Sequence, residues 1–222
     1  QGMLVGEYAK KLVPGGIDLG KLRNIGEQLG KTSEVLPERR PIFEASAGTD
    51  KIYSRVDILK PASGDSWDLI EVKSATQLKE AYLHDIAFQK YTFLQAGINI
   101  SNCYLAFINT QYIKQGEIDP EGFFDMRDIT VEVDEVMMSI PDTVEEMLEV
   151  LQRPDPPDIK IGRQCDHPYS CPLKGKCWEF MPENHVFNLY GKKDKAADLY
   201  SQGILSIEEI PEGYGLNLKQ QI

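Results

Sequence analysis

Two runs of alternating apolar residues joined by a turn-forming linker, KIYSRVDIL, KPASGDS and WDLIEVKS (residues 51–74), restrict this chain more than any other stretch. Alternation favours strands, and Pro61, Gly64, Asp65 and Ser66 favour a hairpin loop, so the two strands are expected to pair antiparallel. Side chains on a strand point to alternate faces, which groups Leu69, Glu71 and Lys73 and turns Ile70 and Val72 the other way. The same rule aligns Arg55 with Asp57 and sends Val56 and Ile58 inward to a core. Pairing then brings Asp57 close to Glu71.

Two carboxylates and a lysine on one sheet face suit metal-assisted phosphodiester hydrolysis. Hard Mg²⁺ or Mn²⁺ takes carboxylate oxygens and keeps several waters. A lysine beside it can orient or deprotonate a water, or neutralise charge developing on the phosphate. A solvated strand face with a Glu–Lys pair has the same spacing, so spacing alone leaves both readings open. The order of elements adds to it. GMLVGEYAKKLVP reads as a short helix ended by Pro14-Gly15-Gly16. Residues 18–37 read as a loop and a short helix with periodic Leu22, Ile25 and Leu29. RPIFEASAG and KIYSRVDIL form a first hairpin turning at Gly48-Thr49-Asp50, with Glu44 either facing the metal site or pairing with Arg55 across the strands. A helix follows from about Leu78 to Ala96, closed by Gly97; its packed stripe is Leu83, Ile86, Ala87, Lys90 and Leu94, and Tyr82, Asp85 and Gln89 share one flank. NISNCYLAFINTQYI then reads as a strand for the middle of a sheet, and residues 129–152 as two helical patterns broken at Pro141.

Asp57 followed by Glu71-Val72-Lys73 resembles the acid-then-(D/E)xK signature of the PD-(D/E)XK nuclease superfamily, in particular its RecB-like exonuclease branch, with Val56 where the signature has Pro. The resemblance covers residues 1 to about 180. It implies an α/β fold with a restriction-endonuclease-like core: a mixed central sheet of about four strands flanked by helices, followed by a helical C-terminal appendage. It also implies Asp57, Glu71 and the Val72 carbonyl as ligands of Mg²⁺ or Mn²⁺, with Lys73 as the catalytic lysine. The opening helix of the branch usually carries a histidine where this chain has Gly6; Glu7, one position on, is the substitute ligand or an exposed helical acid. The branch commonly has a Gln and a Tyr four residues apart on the helix after the lysine. Gln89 and Tyr91 are two apart, so Gln89 is expected in the site with Asp85 or Tyr82 beside it, and Tyr91 in packing.

A second informative stretch, RPDPPDIKIGRQCDHPYSCPLKGKCW, starts with a stiff Pro154, Pro156, Pro157 connection and carries Cys165, Cys171 and Cys177 at even gaps. In a reducing compartment such density favours metal over disulfides, whereas Cys103, in its apolar strand, reads as a core residue. Cys165, His167, Cys171 and Cys177 would make a four-ligand Zn²⁺ site. Alternatively, the three cysteines resemble those that close the [4Fe-4S] cluster of some RecB-like nucleases, CRISPR-associated ones included, whose fourth cysteine precedes the first helix. No cysteine precedes Glu7 here, so the resemblance implies a [4Fe-4S] cluster in the intact protein, with Zn²⁺ as the alternative, and an incomplete cluster site in this chain. The division follows: residues 1–153 a nuclease core, 154–180 a cysteine segment closing it, and 181–222 a small appendage or the start of a further domain. That tail reads as two short helices joined at Gly203, with Ser206 capping the second, and is weakly similar to helix-hairpin-helix elements.

A net charge of −11 argues against nucleic-acid binding, which needs clustered Lys and Arg. Local patches at Lys73, Lys79, Arg163, Lys174, Lys176 and Lys192-Lys193 leave room for weaker, salt-sensitive contact. No run approaches a membrane span and the start lacks a signal-peptide pattern, so a soluble cytoplasmic protein without membrane association is expected. The resemblance implies a metal-dependent exonuclease acting on DNA in repair, recombination or defence. The rivals are a non-catalytic nucleic-acid-binding or scaffold domain that kept the fold, and a zinc-stabilised interaction protein.

Overall fold

In the computed structural model, which describes residues 2–191, 194–217 and 219, the chain divides into two units at Pro154/Asp155. The N-terminal unit opens with helix α1 (Gly2–Ala9), which tightens into a 3-10 turn at Lys10–Leu12 and stops before Pro14 and Gly15, the latter at φ 81°. A two-residue strand β1 (Ile17–Asp18) follows, then helix α2 (Ile25–Val35), started by Asn24, whose side chain accepts from the Glu27 N–H at 3.1 Å. Strands β2 (Ile42–Gly48), β3 (Tyr53–Pro61) and β4 (Trp67–Lys73) form the two expected hairpins. Helix α3 (Glu80–Gln95) ends at Gly97, whose φ of 81° lets the Ile98 N–H reach back to the Phe93 carbonyl at 2.9 Å. Then come β5 (Ile100–Ile108), α4 (Pro120–Phe123), β6 (Phe124–Asp128), α5 (Thr130–Met137) and α6 (Ile140–Gln152), with Pro141 in the first turn of α6.

The result is α/β, with one mixed sheet in the order β1-β2-β3-β4-β5-β6; β1 joins β2 and β4 joins β5 in parallel, and the other pairs are antiparallel. Six strands stand where about four were expected. The additions are the two edges, and β1 and β6 are too short or too exposed for a period-2 pattern to mark them.

Apolar side chains cover both faces. Val56, Leu59, Leu69 and Leu105 pack under α3 through Tyr82, Ile86, Ala87 and Phe93, joined by Val133 and Ile140 from α5 and α6. On the other side Phe43, Ile58, Ile70 and Ala106 pack against Val5 and Ala9 of α1. Each fully buried Leu or Ile contributes about 1.5–3 kcal/mol relative to exposure, which fixes α1 and α3 on the sheet that carries the acids. Lys90 lies in the α3 stripe as expected, only 5% exposed, and escapes an unpaired burial by reaching Asp134 on α5 at 2.5 Å. Of the periodic Leu22, Ile25 and Leu29, Leu22 packs against the core ahead of α2, but the buried face of the helix itself lies elsewhere. It is Gln28, Thr32 and Val35, with Ile25 54% exposed. Polar bonds decide this: Thr32 Oγ1 accepts from the Ser46 N–H at 3.0 Å, and Gln28 Oε1 accepts from the Tyr53 hydroxyl at 2.6 Å.

The C-terminal unit is made of short turns: 3-10 at Arg163–Cys165, α7 (Lys174–Cys177), 3-10 at Val186–Asn188, α8 (Asp194–Ser201) and 3-10 at Ile207–Glu209. Ser206 caps the last of these in a reciprocal capping box with Glu209. Ile161 and Cys165 from the cysteine segment share one apolar cluster with Val186, Phe187, Leu189, Ala196 and Leu199, so residues on both sides of position 180 belong to one core. Among the described residues no helix is long and apolar enough to cross a membrane.

Candidate metal and phosphate site

The strands that carry the acids break their own alternation at one level. Phe43 pairs with Ile58 and Ala45 with Val56, yet the first pair packs on the α1 side and the second on the α3 side. A regular strand would put residues two apart on the same face. Val56 and Ile58 are therefore both buried, as expected, but not in one core. Between the pairs sit Glu44, at φ 60°, and Asp57. The left-handed backbone of Glu44 re-phases the strand, a conformation uncommon for a residue with a side chain and a common mark of a functional constraint.

One level further, β3 and β4 part. Their ladder runs from Pro61↔Trp67 to Ile58↔Ile70, while β4 continues alongside β5 through Glu71↔Leu105 and Lys73↔Phe107. Asp57 and Glu71 would form the next β3–β4 pair. Instead Asp57 turns its side chain into the gap, and Oδ2 accepts the Val72 N–H at 2.7 Å.

The α3 flank closes the site from the other direction. Glu71 is 7% exposed; its Oε1 lies 2.9 Å from Lys73 Nζ, and its Oε2 accepts from Gln89 Nε2 at 3.0 Å. Lys73 also reaches Asp85 Oδ2 at 3.2 Å and stands 5.1 Å from the centre of the Tyr82 ring. Tyr82, Asp85 and Gln89, grouped by their spacing, thus all touch the Glu71–Lys73 pair. Gln89 Nε2 also donates to the Arg55 carbonyl at 3.3 Å, and both acceptors require the amide nitrogen there. That leaves Gln89 Oε1 buried with no hydrogen-bond partner among the described residues. Tyr91 packs against the core.

Asp57, Glu71, Val72 and Lys73 line a cavity of about 700 Å³. Glu44 and Arg55 form its wall as an ion pair of 2.9 Å, so Glu44 both faces the cavity and holds its cross-strand partner. Its rim includes Gly6, Glu7, Lys10, Lys21 and Arg23. A Cβ added to Gly6 would meet nothing within 4 Å. Glu7 is turned to Lys10 at 2.6 Å with its side chain 67% exposed, and Lys10 bridges on to Asp18 at 2.7 Å. Burial favours a neutral Asp18, but the Lys10 ammonium and the Gly20 N–H outweigh it and hold the carboxyl below its usual range. The Lys10–Asp18 bridge and the Lys21 and Arg23 rim were not foreseen. They join residues distant from the acids in the chain, and no local period links them.

Burial, then the charge of Glu71, push the Asp57 carboxyl up to about 7; Glu44 adds to the effect, and the Val72 N–H and Lys73 oppose it. Glu44, rather than Glu7, is the third acid whose charge reaches Asp57. Burial works against the Lys73 ammonium, but Glu71 and Asp85 outweigh it and raise the group above its ordinary value. Two adjacent carboxylates in a cleft, one of them destabilised as an anion, are a donor set that a hard divalent cation relieves. Such ions are commonly held by one or two carboxylates with waters completing the shell. Among the described residues no group of three or more His, Cys, Asp or Glu is assembled for a metal, so the fit rests on the pair.

The same holds in the C-terminal unit. Cys165 is buried in the apolar cluster, Cys171 is half-buried and Cys177 is exposed, and with His167 they make no metal-holding group. Cys103 is buried in β5, and burial pushes its thiol up to about 12, in keeping with a core role. Lys192 and Lys193, expected in a basic patch, lie outside the described residues. No protein-family model matches the chain, and no curated protein matches it in sequence.

Proposed function

We propose that the N-terminal unit is a metal-dependent nuclease with a restriction-endonuclease-like core of the RecB-like exonuclease type, hydrolysing phosphodiester bonds of DNA in repair, recombination or defence. The observation that carries this reading is the placement of Asp57 and Glu71 side by side where β3 and β4 part, with Lys73 fixed against Glu71 at 2.9 Å. Asp57, Glu71 and the Val72 carbonyl would hold Mg²⁺ or Mn²⁺, which when bound supplies an activated water and polarises the phosphoryl oxygen. Lys73 keeps its proton on Nζ between two carboxylates, so it serves as a fixed positive charge for the phosphate rather than as a base. Gln89 holds the Glu71 carboxylate in place through Oε2, and Arg55, Lys21 and Arg23 line the cavity where neighbouring phosphates would lie. Acids such as Glu7, Asp18 and Glu44 share that lining and Arg55 is paired with Glu44, so with a net charge of −11 the contact with nucleic acid would be weak and salt-sensitive.

A second reading, a nucleic-acid-binding or scaffold domain without activity, is favoured by Gly6, which lines the cavity with no side chain, and by Glu7, which is turned to Lys10. Incubation with end-labelled single- and double-stranded DNA, with and without Mn²⁺, decides between the two. Mn²⁺-dependent shortening that Asp57→Ala removes supports the nuclease; binding of DNA without cleavage at any divalent concentration selects the scaffold.

A further inference from the structure

We infer that Glu44 is a positioning residue, and that its left-handed backbone is what aims Asp57 toward Glu71 and Val72. The inference deepens the nuclease reading, on which its consequence for metal binding rests. Regular antiparallel register would make Glu44 and Asp57 the rung between Phe43↔Ile58 and Ala45↔Val56, and Asp57 and Glu71 the rung after Ile58↔Ile70. Neither rung forms. Three acids thus stand in one row across β2, β3 and β4, and Asp57, in the middle, has a ladder partner on neither side.

Where Asp57 points is decided by the pairs around it. Phe43 and Ile58 are buried on the α1 side, and Ala45 and Val56 on the α3 side. Glu71 reaches the α3 side, where Gln89 holds it, because Ile70 and Val72 on either side of it pack toward α1. If both strands kept the phase of Ala45 and Val56, Asp57 would lie on the α1 face, away from Glu71. If they kept the phase of Phe43 and Ile58, Ala45 and Val56 would leave the core under α3. The change of phase keeps all four buried and leaves Asp57 edge-on, where its Oδ2 accepts the Val72 N–H at 2.7 Å. Among the described residues β3 makes this change without a positive φ, and in β2 it is concentrated at Glu44, at φ 60°.

A side chain is crowded in the left-handed region, where Cβ presses on the following carbonyl oxygen, so the surroundings must hold Glu44 there. Two contacts do so. Arg55 Nε donates to Glu44 Oε2 at 2.9 Å, and Gly20 leaves room for the stem, since a Cβ there would lie 3.2 Å from Glu44 Cγ. Glycine takes the same backbone without strain and alanine does not. Both lack the carboxylate, so these two substitutions separate the backbone of Glu44 from its side chain.

The test uses the full chain, ¹⁵N-labelled and in chelator, and reads the Val72 amide proton, which its hydrogen bond to Asp57 shifts downfield. Asp57→Ala gives the position of that resonance without the acceptor. Glu44→Ala should move it most of the way there, and Glu44→Gly should leave it near the parental position. The inference is overturned if Glu44→Ala keeps the parental resonance, which would leave the Val72 N–H alone to place Asp57. It is equally overturned if Glu44→Gly loses it, which would assign the placing to the carboxylate and Arg55. Where Glu44→Ala does not fold, Glu44→Asn, which tolerates the left-handed region, is compared with Glu44→Gly; both should keep the parental resonance, and a loss in either overturns the inference. Mn²⁺ affinity, read by calorimetry, should fall about 10–100-fold in Glu44→Ala, as when the support of a metal ligand is lost, and far less in Glu44→Gly. Equal affinity in the parent and Glu44→Ala overturns the positioning role. A parent that binds no Mn²⁺ overturns the nuclease reading and leaves the amide result standing, so the two proposals fail separately.

Discussion

Asp57, Glu71 and Lys73 hang from strands, whereas Cys165, Cys171 and Cys177 hang from the end of a 3-10 turn, an irregular link and the end of a four-residue helix. On a strand the ladder assigns each side chain a face and a neighbour before any tertiary contact is considered. In β4 that is enough to stack Glu71 and Lys73 and to hand both to the same flank of α3. Even spacing in irregular chain carries no such instruction, and the three thiols take three different burials. The comparison separates a site preassembled by backbone from a set of donors whose grouping would have to be supplied by a ligand. Substitutions in the two units should therefore differ in kind.

The largest effect is expected at Asp57. Asp57→Ala removes one of two carboxylates and should lower Mn²⁺-dependent cleavage by about 10³-fold, the scale of losing a full electrostatic element of a site. Stability read from the unfolding midpoint in denaturant should fall by no more than the ~1–3 kcal/mol of the lost Val72 N–H bond, because burial and Glu71 already destabilise the Asp57 anion. A large loss of stability would mean that Asp57 holds the strands rather than a metal, and the contrast between the units would collapse.

Lys73→Ala comes next, with an expected drop in turnover of about 10²-fold. Divalent affinity, read by calorimetry, should change far less, because an ammonium cannot ligate the ion. Equal losses in both would show that Lys73 acts by positioning Glu71, to which it is bound at 2.9 Å.

Much of this site was legible because its parts obey local periods. The hairpin between residues 60 and 66 sets Asp57 against Glu71, and about 100° per residue along α3 groups Tyr82, Asp85 and Gln89. What escaped depends on contacts between distant residues. β1 exists only because Ile17 and Asp18 find the edge of β2. The face change at Glu44 follows from a positive φ that no residue type signals, since Glu is a poor candidate for the left-handed region. The buried side of α2 does not follow its apolar period because Gln28 and Thr32 are held by Tyr53 and Ser46, whose approach the α2 sequence does not announce.

A third, smaller effect concerns pH. Asp57 is raised from its ordinary 3.8 to about 7 in the fold, so between those values the native state binds the extra proton. Stability from this group is present below pH 3.8 and is lost as pH rises to about 7, the opposite of the usual carboxylate. In chelator the loss should be about 2 kcal/mol, less than the full shift implies because Glu71 and its surroundings relax. Asp57→Asn keeps an acceptor for the Val72 N–H and should flatten the slope; an unchanged slope assigns the effect elsewhere.

The smallest effect is expected at Cys177. Its thiol is exposed at the end of α7, and without a bound metal Cys177→Ser should change stability by no more than about 0.5 kcal/mol, as for most surface substitutions. The [4Fe-4S] and Zn²⁺ proposals make a different demand. Thiolate ligation would convert an idle surface group into one of the bonds on which the unit's stability depends, because metal binding energy becomes folding energy. The check is to assay protein prepared without oxygen for iron, sulfide and zinc before and after Cys177→Ser. Equal stability and no bound metal in either form leaves the cysteines as donors without an assembled site. A brown or zinc-loaded parent whose metal and several kcal/mol of stability vanish with one exposed thiol would show that a ligand supplies in the C-terminal unit the grouping that strands supply around Asp57 and Glu71.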